Sequence, residues 1–548
     1  MKRLTKTLET VNITSSGEPS ALHAAKELAK YLQKKGVAPA ADGFPILIVI
    51  DPSFSQDGYK IEAALGENEG MTVKGDSTGV LYGVYNFLEK YANIRFFTPS
   101  LELCPKGDIV IPDGLVLEYS PVMKARRLTW NSVRTEADWC VKNGINNCDV
   151  ILSEELGGSR LNYGKLFVHT VNILAETTYP YPAYGTNPCM TDPEVLDKVI
   201  RNVRLALDEN PDINIVSVSQ NDFDGHCQCP NCSKIEEEEG SPAGPLLRFV
   251  NAVAENIAKD YPRVTVDTLA YKYTQKPPKI TKPRENVCIR LCSINCCFTH
   301  PLDNTDCPRS KKFYDDLVGW GKICNKIHIW DYTTNFHYYI STFANLGVIQ
   351  KNMKFFAENN VVSMFPQGNG QGASGEFGEL RAYLLAKLMW DPYMSEEEYN
   401  RHMNEFLEAY YGAGWKNIRA FIDKTTELAA NGGFNINKDE TEGAPVCGQG
   451  IYGHPLTAIT RQEYLDNEML FDKLWEDSEA LAGDRLEYVQ RSMMQWRLTK
   501  LYLHPDAKKA QKLIDDAKAA GVVWKEGQFN VQPESDLSQS PYFWKYGK

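Results

Sequence analysis

The stretch INIVSVSQNDFDGHCQCPNC, residues Ile213–Cys232, holds the side chains best suited to chemistry. Ile213, Ile215, Val216 and Val218 read as a buried strand that stops at Gln220-Asn221-Asp222, a loop composition. In a parallel barrel, the loop after a strand is where catalytic groups sit. A carboxylate beside an amide is the pairing needed to break a glycosidic bond next to an acetamido group. Asp222 would be the general acid, which requires burial or a neighbouring anion to keep its proton near neutral pH. Asn221 would hold the acetamido group while its oxygen attacks the anomeric carbon, so that no enzyme nucleophile is needed. The plain alternative is an Asn-Asp turn in which Asp222 accepts from loop amides. Asp224, before Gly225, reads as a turn residue. Glu376 and Glu379 are competing acids, or simply carboxylates in a helix's first turn.

Cys227, Cys229 and Cys232 follow as C-x-C-x2-C. Three thiolates with a fourth ligand would make a structural zinc site, and Cys189 or His226 could complete it. Disulfides to distant partners fit the spacing equally well in an oxidising compartment. No catalytic metal and no cofactor is expected. There is no H-E-x-x-H, P-loop, nucleophile elbow or dinucleotide fingerprint.

The elements that must position these residues alternate between strand and helix. Strands are expected at 124–130, 147–152, 165–169, 213–219, 265–271, 287–292, 326–330 and 361–367. Helices are expected at 193–207, 243–259, 310–322 and 349–358. Eight strands over roughly 270 residues match a (β/α)8 TIM barrel, the α/β fold class expected for residues 119–395. Residues 1–118 read as a small α/β domain, with helices at 21–34 and 79–91 and a strand at 45–50. Residues 396–548 read as an α-helical domain with long amphipathic, charged segments. The barrel's strand ends are rich in sugar-binding side chains. Arg126, Arg127 and Trp130 stand at the first, His169 at the third and Tyr271 at the fifth. Trp330, Asp331 and Tyr332 stand at the seventh, and the loop after the eighth leads to Glu376 and Glu379. Aromatics there stack on sugar C–H faces and the polar groups meet hydroxyls.

At 548 residues the chain is long enough for several cores. Its 43% hydrophobic and 24% charged content is that of a globular protein. A net charge of −12 argues against nucleic acid as a partner. No apolar run is long enough to span a membrane. The opening MKRLTKTLETVNITSSGEPS has basic residues without an apolar core behind them, so it is not a signal peptide as it stands. The expected location is secreted, periplasmic or cell-surface with the leader not present in this chain, or else cytoplasmic. Nine of the 14 cysteines fall between Cys189 and Cys307, which favours a local role for them.

Four segments together carry a family resemblance. They are HTVNILA (His169–Ala175), the stretch from NPCMTDPEVLDKVI through VSVSQNDFDGHCQCPNC, and FVNAVAENIAKDYPRVTVDTLAYKYTQKPP (Phe249–Pro278). The fourth is HIWDYTTNF with the later QGASGEFGELRAYLLAKLMWDP. They resemble a bacterial domain first described as of unknown function and later placed in glycoside hydrolase family 163, whose members are retaining endo-β-N-acetylglucosaminidases on complex N-glycans. LYGVYNFLEKYANIRFFTP (81–99) resembles the small domain that precedes the barrels of β-hexosaminidases and α-glucuronidases. The resemblance covers about residues 1–395. It implies a glycan or glycoprotein substrate. It also implies an Arg at the first strand end, matched by Arg126 or Arg127, on hydroxyls of the −1 sugar, with His169, Trp330 and Glu376 completing that subsite. β-Hexosaminidases carry Asp-Glu at the end of the fourth strand, where this chain has Asn221-Asp222, so the likeness is of position and not of identity. Two other readings stay open. An exo-hexosaminidase or uronidase is one, and an inverting uronidase would need carboxylates about 6.5–9.5 Å apart. A non-catalytic glycan-binding protein is the other.

Overall fold

The computed structural model describes residues 4–177, 187–432 and 448–527. Parts of the expected C-terminal helical region, 433–447 and 528–548, lie outside the described residues. The N-terminal region folds around a six-stranded mixed sheet. Its strands run in the order Leu115–Tyr119, Tyr59–Ala64, Gly70–Gly75, Phe44–Ile50, Thr10–Ser15, Ala38–Pro39. Phe44–Ile50 alternates buried and exposed residues at its start, as a strand covered on one face does. The helices Pro19–Lys34 and Gly79–Tyr91 supply the cover. They bury Leu28, Tyr31, Leu81 and Leu88 against Ile46, Ile48, Ile61 and Val73 in a core of their own.

The second sheet has six strands, all parallel. Their order is Ala125–Arg126, Val361–Gln367, Ile327–Tyr332, Val287–Cys292, Thr265–Ala270, Ile215–Ser217. Every residue of Val287–Cys292 is buried, the continuous pattern of a parallel strand covered on both faces. Helices Pro193–Glu209, Ala243–Ile257, Pro308–Gly321 and Ile349–Glu358 alternate with these strands. Their apolar residues form one large core with the C-terminal helices, including Phe421, Phe471 and Trp475. The result is a curled parallel half-barrel, mixed α/β, with many helices around it.

Two of the eight expected strands do not form. Residue 147 makes a single parallel bridge to Arg127, and 165–169 carries no strand. Side chains take backbone amides in and around these segments, as Ser159 Oγ does from Leu152 N–H and Ser219 Oγ from His169 N–H, each at 2.9 Å. Arg126 N–H donates to Asn146 Oδ1 at 2.9 Å, Leu161 N–H to Asn147 Oδ1 at 2.8 Å and Asn162 N–H to Asn214 Oδ1 at 2.9 Å. Backbone bonds from Ser217 N–H to Leu166 O (3.0 Å) and from Val171 N–H to Ser219 O (3.1 Å) still tie this segment to the Ile215–Ser217 strand.

The C-terminal region returns to the sheet's carboxyl edge. Tyr339 N–H donates to Trp524 O at 2.7 Å, Glu526 N–H to Phe336 O at 2.8 Å and Phe336 N–H to Ile451 O at 2.7 Å. Among the described residues no helix is long and apolar enough to cross a membrane.

Candidate active site

Strand alternation assigns the side chains to their faces. Ile215 packs on Tyr163 and Cys288 inside the curl, and Ser217 Oγ bonds Ser219 Oγ at 2.9 Å. Val216 and Val218 face the helical layer. Gln220 turns to the neighbouring strand, where Nε2 donates to Leu269 O (3.1 Å) and Tyr271 O (3.2 Å). Asn221 follows four residues beyond the end of the Ile215–Ser217 strand. It is fully buried, yet neither its amide nitrogen nor its oxygen has a hydrogen-bond partner. An unpaired buried polar group costs about 1–3 kcal/mol, so a side chain with both ends orphaned calls for a ligand or water.

Asp222 follows at the rim, 38% exposed. Tyr271 donates its hydroxyl to Oδ1 at 3.0 Å, and Lys272 Nζ lies 3.2 Å from the same oxygen. Burial and then the Asp222 charge push the Tyr271 hydroxyl well above the ordinary phenol range, so it stays a donor. His169 Nδ1 lies 2.8 Å from Gln220 O, and its ring stands 6.3 Å from that of Tyr271. Burial lowers the imidazole, favouring the neutral ring. His169 (φ 54°) and Lys272 (φ 51°) are both in the left-handed region. That conformation is strained for non-glycine residues and clusters at functional sites.

Trp330 and Tyr332 share the inner face of their strand and stack at 6.3 Å. Trp330 Nε1 donates to Gln367 Oε1 at 2.8 Å. Beneath them Arg290 pairs with Asp267, fully buried, so the floor is packed and polar. His169, Asn221, Asp222, Tyr271, Trp330 and Tyr332 thus gather around one mouth.

Three further groups stand there. Lys272 stands beside Tyr271 at the end of the fifth expected strand but had no role assigned, and Tyr452 and Glu526, which carried no sequence signal, come from beyond the expected barrel. Tyr452 is raised to about 12, first by burial and then by Glu526 and Asp222. Glu526 is raised by desolvation and by Asp222, with a hydrogen bond from Tyr452 opposing. A second carboxylate, beside Tyr452, is therefore within electrostatic reach of Asp222.

Other expected site residues lie elsewhere. Arg126 is corrected: it is fully buried and points away from the mouth. It donates to Gly144 O, to Met123 O and to Asp57 Oδ2 (2.9 Å). The register explains this. Arg126 pairs with Met364, whereas Tyr332 at the rim pairs with Gln367, so Arg126 sits partway down its strand. Arg127 stands one residue higher, level with Phe365 and Trp330, but its guanidinium lies on the rings of Phe167 and Phe365 and pairs with Asp149 at 2.9 Å.

Glu376 is corrected as a proton donor. It is 1% exposed and locked to the buried Arg381 guanidinium. Its Oε2 has no hydrogen-bond partner. Trp130 lies against that guanidinium and fills the space over Gly368, where an added Cβ would fall 2.2 Å from the indole. Glu379 pairs with Arg491 of the C-terminal helices at 2.7 Å, and burial raises its carboxyl despite that cation. A cavity of about 220 Å³ separates Trp130 and Asn131 from Glu379 and Arg491.

Asp331 is also corrected. It stands on the opposite face from its neighbours 330 and 332, and accepts from Ser293 Oγ at 2.5 Å. Burial pushes it up to about 6. The folded state then binds this proton more tightly than the unfolded chain, so stability falls as pH rises from about 4 to about 6 and stays lower above. Asp331→Asn keeps an acceptor for Ser293. It is expected to stabilise the protein by up to about 3 kcal/mol at pH 7 and hardly at all near pH 4. Urea midpoints at the two pH values measure this, and equal midpoints at pH 7 would refute it.

Residues 96–423 match the family model described as "Domain of unknown function (DUF4838)", which is more than half of the chain. No curated protein matches the sequence significantly. Among solved structures the chain is similar to a family GH115 4-O-methyl-α-glucuronidase with specificity for decorated arabinogalactans. That match has a TM-score of 0.54 at 13% identity and covers 99% of this chain and 78% of that one. It is also similar to a GH138 enzyme targeting pectin rhamnogalacturonan II (0.48, 10%, 98% and 99%). A β-N-acetylhexosaminidase from Bacteroides fragilis NCTC 9343 matches at 0.41, with 12% identity over 73% and 90%. At such identities the first likeness is one of fold.

Proposed function

The chain belongs to the DUF4838 family, and we propose that it is a retaining glycoside hydrolase acting on β-linked N-acetylglucosamine by an acetamido-assisted mechanism. The observation that carries this reading is Asn221, a fully buried amide with an orphaned donor and an orphaned acceptor beside a rim carboxylate. An acetamido group offers the complementary acceptor and donor. Held there, its oxygen can be aimed at the anomeric carbon, where it attacks as the glycosidic oxygen leaves. In this reading Asp222 protonates that oxygen and then activates water. Trp330, Tyr332 and Tyr271 give the sugar an aromatic wall, and His169 supplies a polar edge.

The resemblance to glycoside hydrolase family 163 narrows the reading to an endo-β-N-acetylglucosaminidase on complex N-glycans. It takes the six-stranded arc with segment 146–169 as a (β/α)8 barrel at 119–395, between a small α/β domain at 1–118 and a helical domain at 396–548. On that reading the enzyme works outside the cytoplasm, secreted, periplasmic or at the cell surface; a cytoplasmic location would go with free glycans as substrates.

Lys272 favours a second role for Asp222. A carboxylate beside an ammonium can orient the acetamido N–H and stabilise the positive charge that develops on it, leaving protonation to Glu526. The two roles separate by leaving group, as argued in the Discussion.

The overall test is incubation with a sialylated biantennary glycoprotein, read by mass spectrometry. Release that leaves one N-acetylglucosamine on Asn is the expected result. Intact glycoprotein together with an uncleaved aryl β-N-acetylglucosaminide would overturn the reading, and cleavage of a glucuronide instead would reassign the substrate.

A further inference from the structure

Just beyond the mouth, four cysteines from two distant stretches meet. The Sγ atoms of Cys189, Cys227, Cys229 and Cys232 all lie within 4.8 Å of one another. Cys189 Sγ stands 3.7 Å from Cys229 Sγ and 3.8 Å from Cys232 Sγ. A tetrahedral zinc ion with Zn–S of about 2.3 Å has S–S edges of about 3.8 Å. A disulfide pair would need only two of the four to approach. Mutual proximity of all four is the shape of a coordination shell. None of the four is bridged.

We propose that these four thiolates hold one structural zinc ion, and that the ion staples the loop carrying Asp222. This site goes beyond the hydrolase reading and does not depend on it.

The surroundings suit a tetrathiolate, which carries a net charge of about −2 once the four thiols have released their protons to solvent. Cys229 caps the helix Pro230–Glu239, so the site lies at that helix's positive end. Cys232 N–H points at Cys229 Sγ (3.5 Å), and Thr191 Oγ1 lies 3.4 Å from Cys232 Sγ and 3.2 Å from Cys189 Sγ. Such donors orient sulfur ligands. His226, the other candidate for fourth ligand, is engaged elsewhere. Its ring stacks on Tyr273 at 4.3 Å, and its Nε2 lies 3.0 Å from Glu236.

Asn187 shows what the staple would hold. It is buried, two residues before Cys189. Its Oδ1 accepts from Asn221 N–H at 2.8 Å, and its Nδ2 donates to Gly225 O at 2.9 Å. One strand of chain thus clamps 221–225 through Asn187 and meets 227–232 through Cys189. A metal at the four sulfurs closes that clamp from the far side and fixes where Asn221 and Asp222 sit. The four ligands are all thiolates with no open position, which marks a structural and not a catalytic ion.

The test uses the full chain, reduced and purified without chelator. Native mass spectrometry and elemental analysis are expected to find one zinc per chain. Cobalt substitution is expected to give the visible absorption of a tetrahedral thiolate site. Cys232→Ser and Cys189→Ser should each lower zinc affinity at least tenfold in competition with a colorimetric chelator, while Cys104→Ser, in the N-terminal region, should not. Stripping zinc from the wild type should speed hydrogen exchange in 221–232 and leave the Val287–Cys292 strand protected. The wild-type measurements stand even if a cysteine variant fails to fold. Reduced wild-type protein that takes up no zinc, or Cys232→Ser that keeps it, would overturn the site. Unchanged exchange in 221–232 after stripping would overturn the staple.

Discussion

Asp222→Asn is expected to lower kcat on an unactivated β-N-acetylglucosaminide by roughly 10²–10⁴-fold, the usual contribution of a positioned acid–base group. The loss should appear in kcat more than in KM, because the carboxylate acts on the leaving oxygen in the transition state. The dependence on leaving group then assigns its role. An aryl glycoside with a low-pKa phenol leaves without help. If Asp222 is the acid, the variant should cleave that substrate at close to the wild-type rate for the bond-breaking step. If Asp222 instead orients the acetamido group, both substrates should suffer alike. In that case Glu526→Gln should show the selective loss on the poor leaving group. Asn221→Ala should slow both substrates, since it removes the groups that aim the acetamido oxygen. Full activity of Asp222→Asn on the unactivated substrate would remove the rim carboxylate from the mechanism.

The hydrophobic pattern carried most of the architecture. Val287–Cys292 and Val361–Gln367 form where their largely apolar runs predict them, because a parallel strand covered on both faces is mostly apolar; the buried Arg290 is tolerated through its pairing with Asp267. The helices between them follow from their apolar stripes. Periodicity failed where side chains replace backbone in the hydrogen-bond ladder. Segments 147–152 and 165–169 have apolar residues at strand spacing, but Leu152 N–H goes to Ser159 Oγ and His169 N–H to Ser219 Oγ in place of a ladder.

Of the candidate site, strand ends were legible. Asp222, Asn221, Tyr271 and Tyr332 converge because parallel strands deliver their carboxyl ends to one side, whereas His169 comes from a segment that forms no strand and is held there by Ser219 Oγ and Gln220 O. Depth along a strand was not legible. Arg126 stands only a few residues before Trp130, and only the pairing register reveals how low it lies. Nor was the return of the chain legible. Tyr452 and Glu526 reach the mouth through backbone bonds to Phe336, a contact across more than a hundred residues that no local pattern encodes.

Arg126 also carries the largest expected effect on stability. Asp57 is fully buried and accepts from Arg126 (2.9 Å), Arg160 (2.8 Å) and Asn146 Nδ2 (2.8 Å). Burial alone would raise its carboxyl, but the two guanidinium groups hold it below the ordinary carboxylate range. A depressed carboxyl stabilises the fold above its unfolded-state pKa of about 4, and the contribution fades as pH falls through the folded-state value. Asp57→Ala leaves Arg126 buried without its counter-charge and should cost about 3–5 kcal/mol, a large share of the roughly 5–15 kcal/mol that holds a domain together. Urea or thermal midpoints at pH 7 would show it, and the deficit should narrow in acid. The same network separates structure from chemistry. Arg126→Leu should destabilise comparably. The fraction that remains folded should nevertheless cleave substrate with unchanged kcat and KM, because the guanidinium faces the N-terminal sheet and not the sugar. A selective rise in KM for that variant would put Arg126 back at the −1 subsite, and the register-based placement of the mouth would have to be abandoned with it.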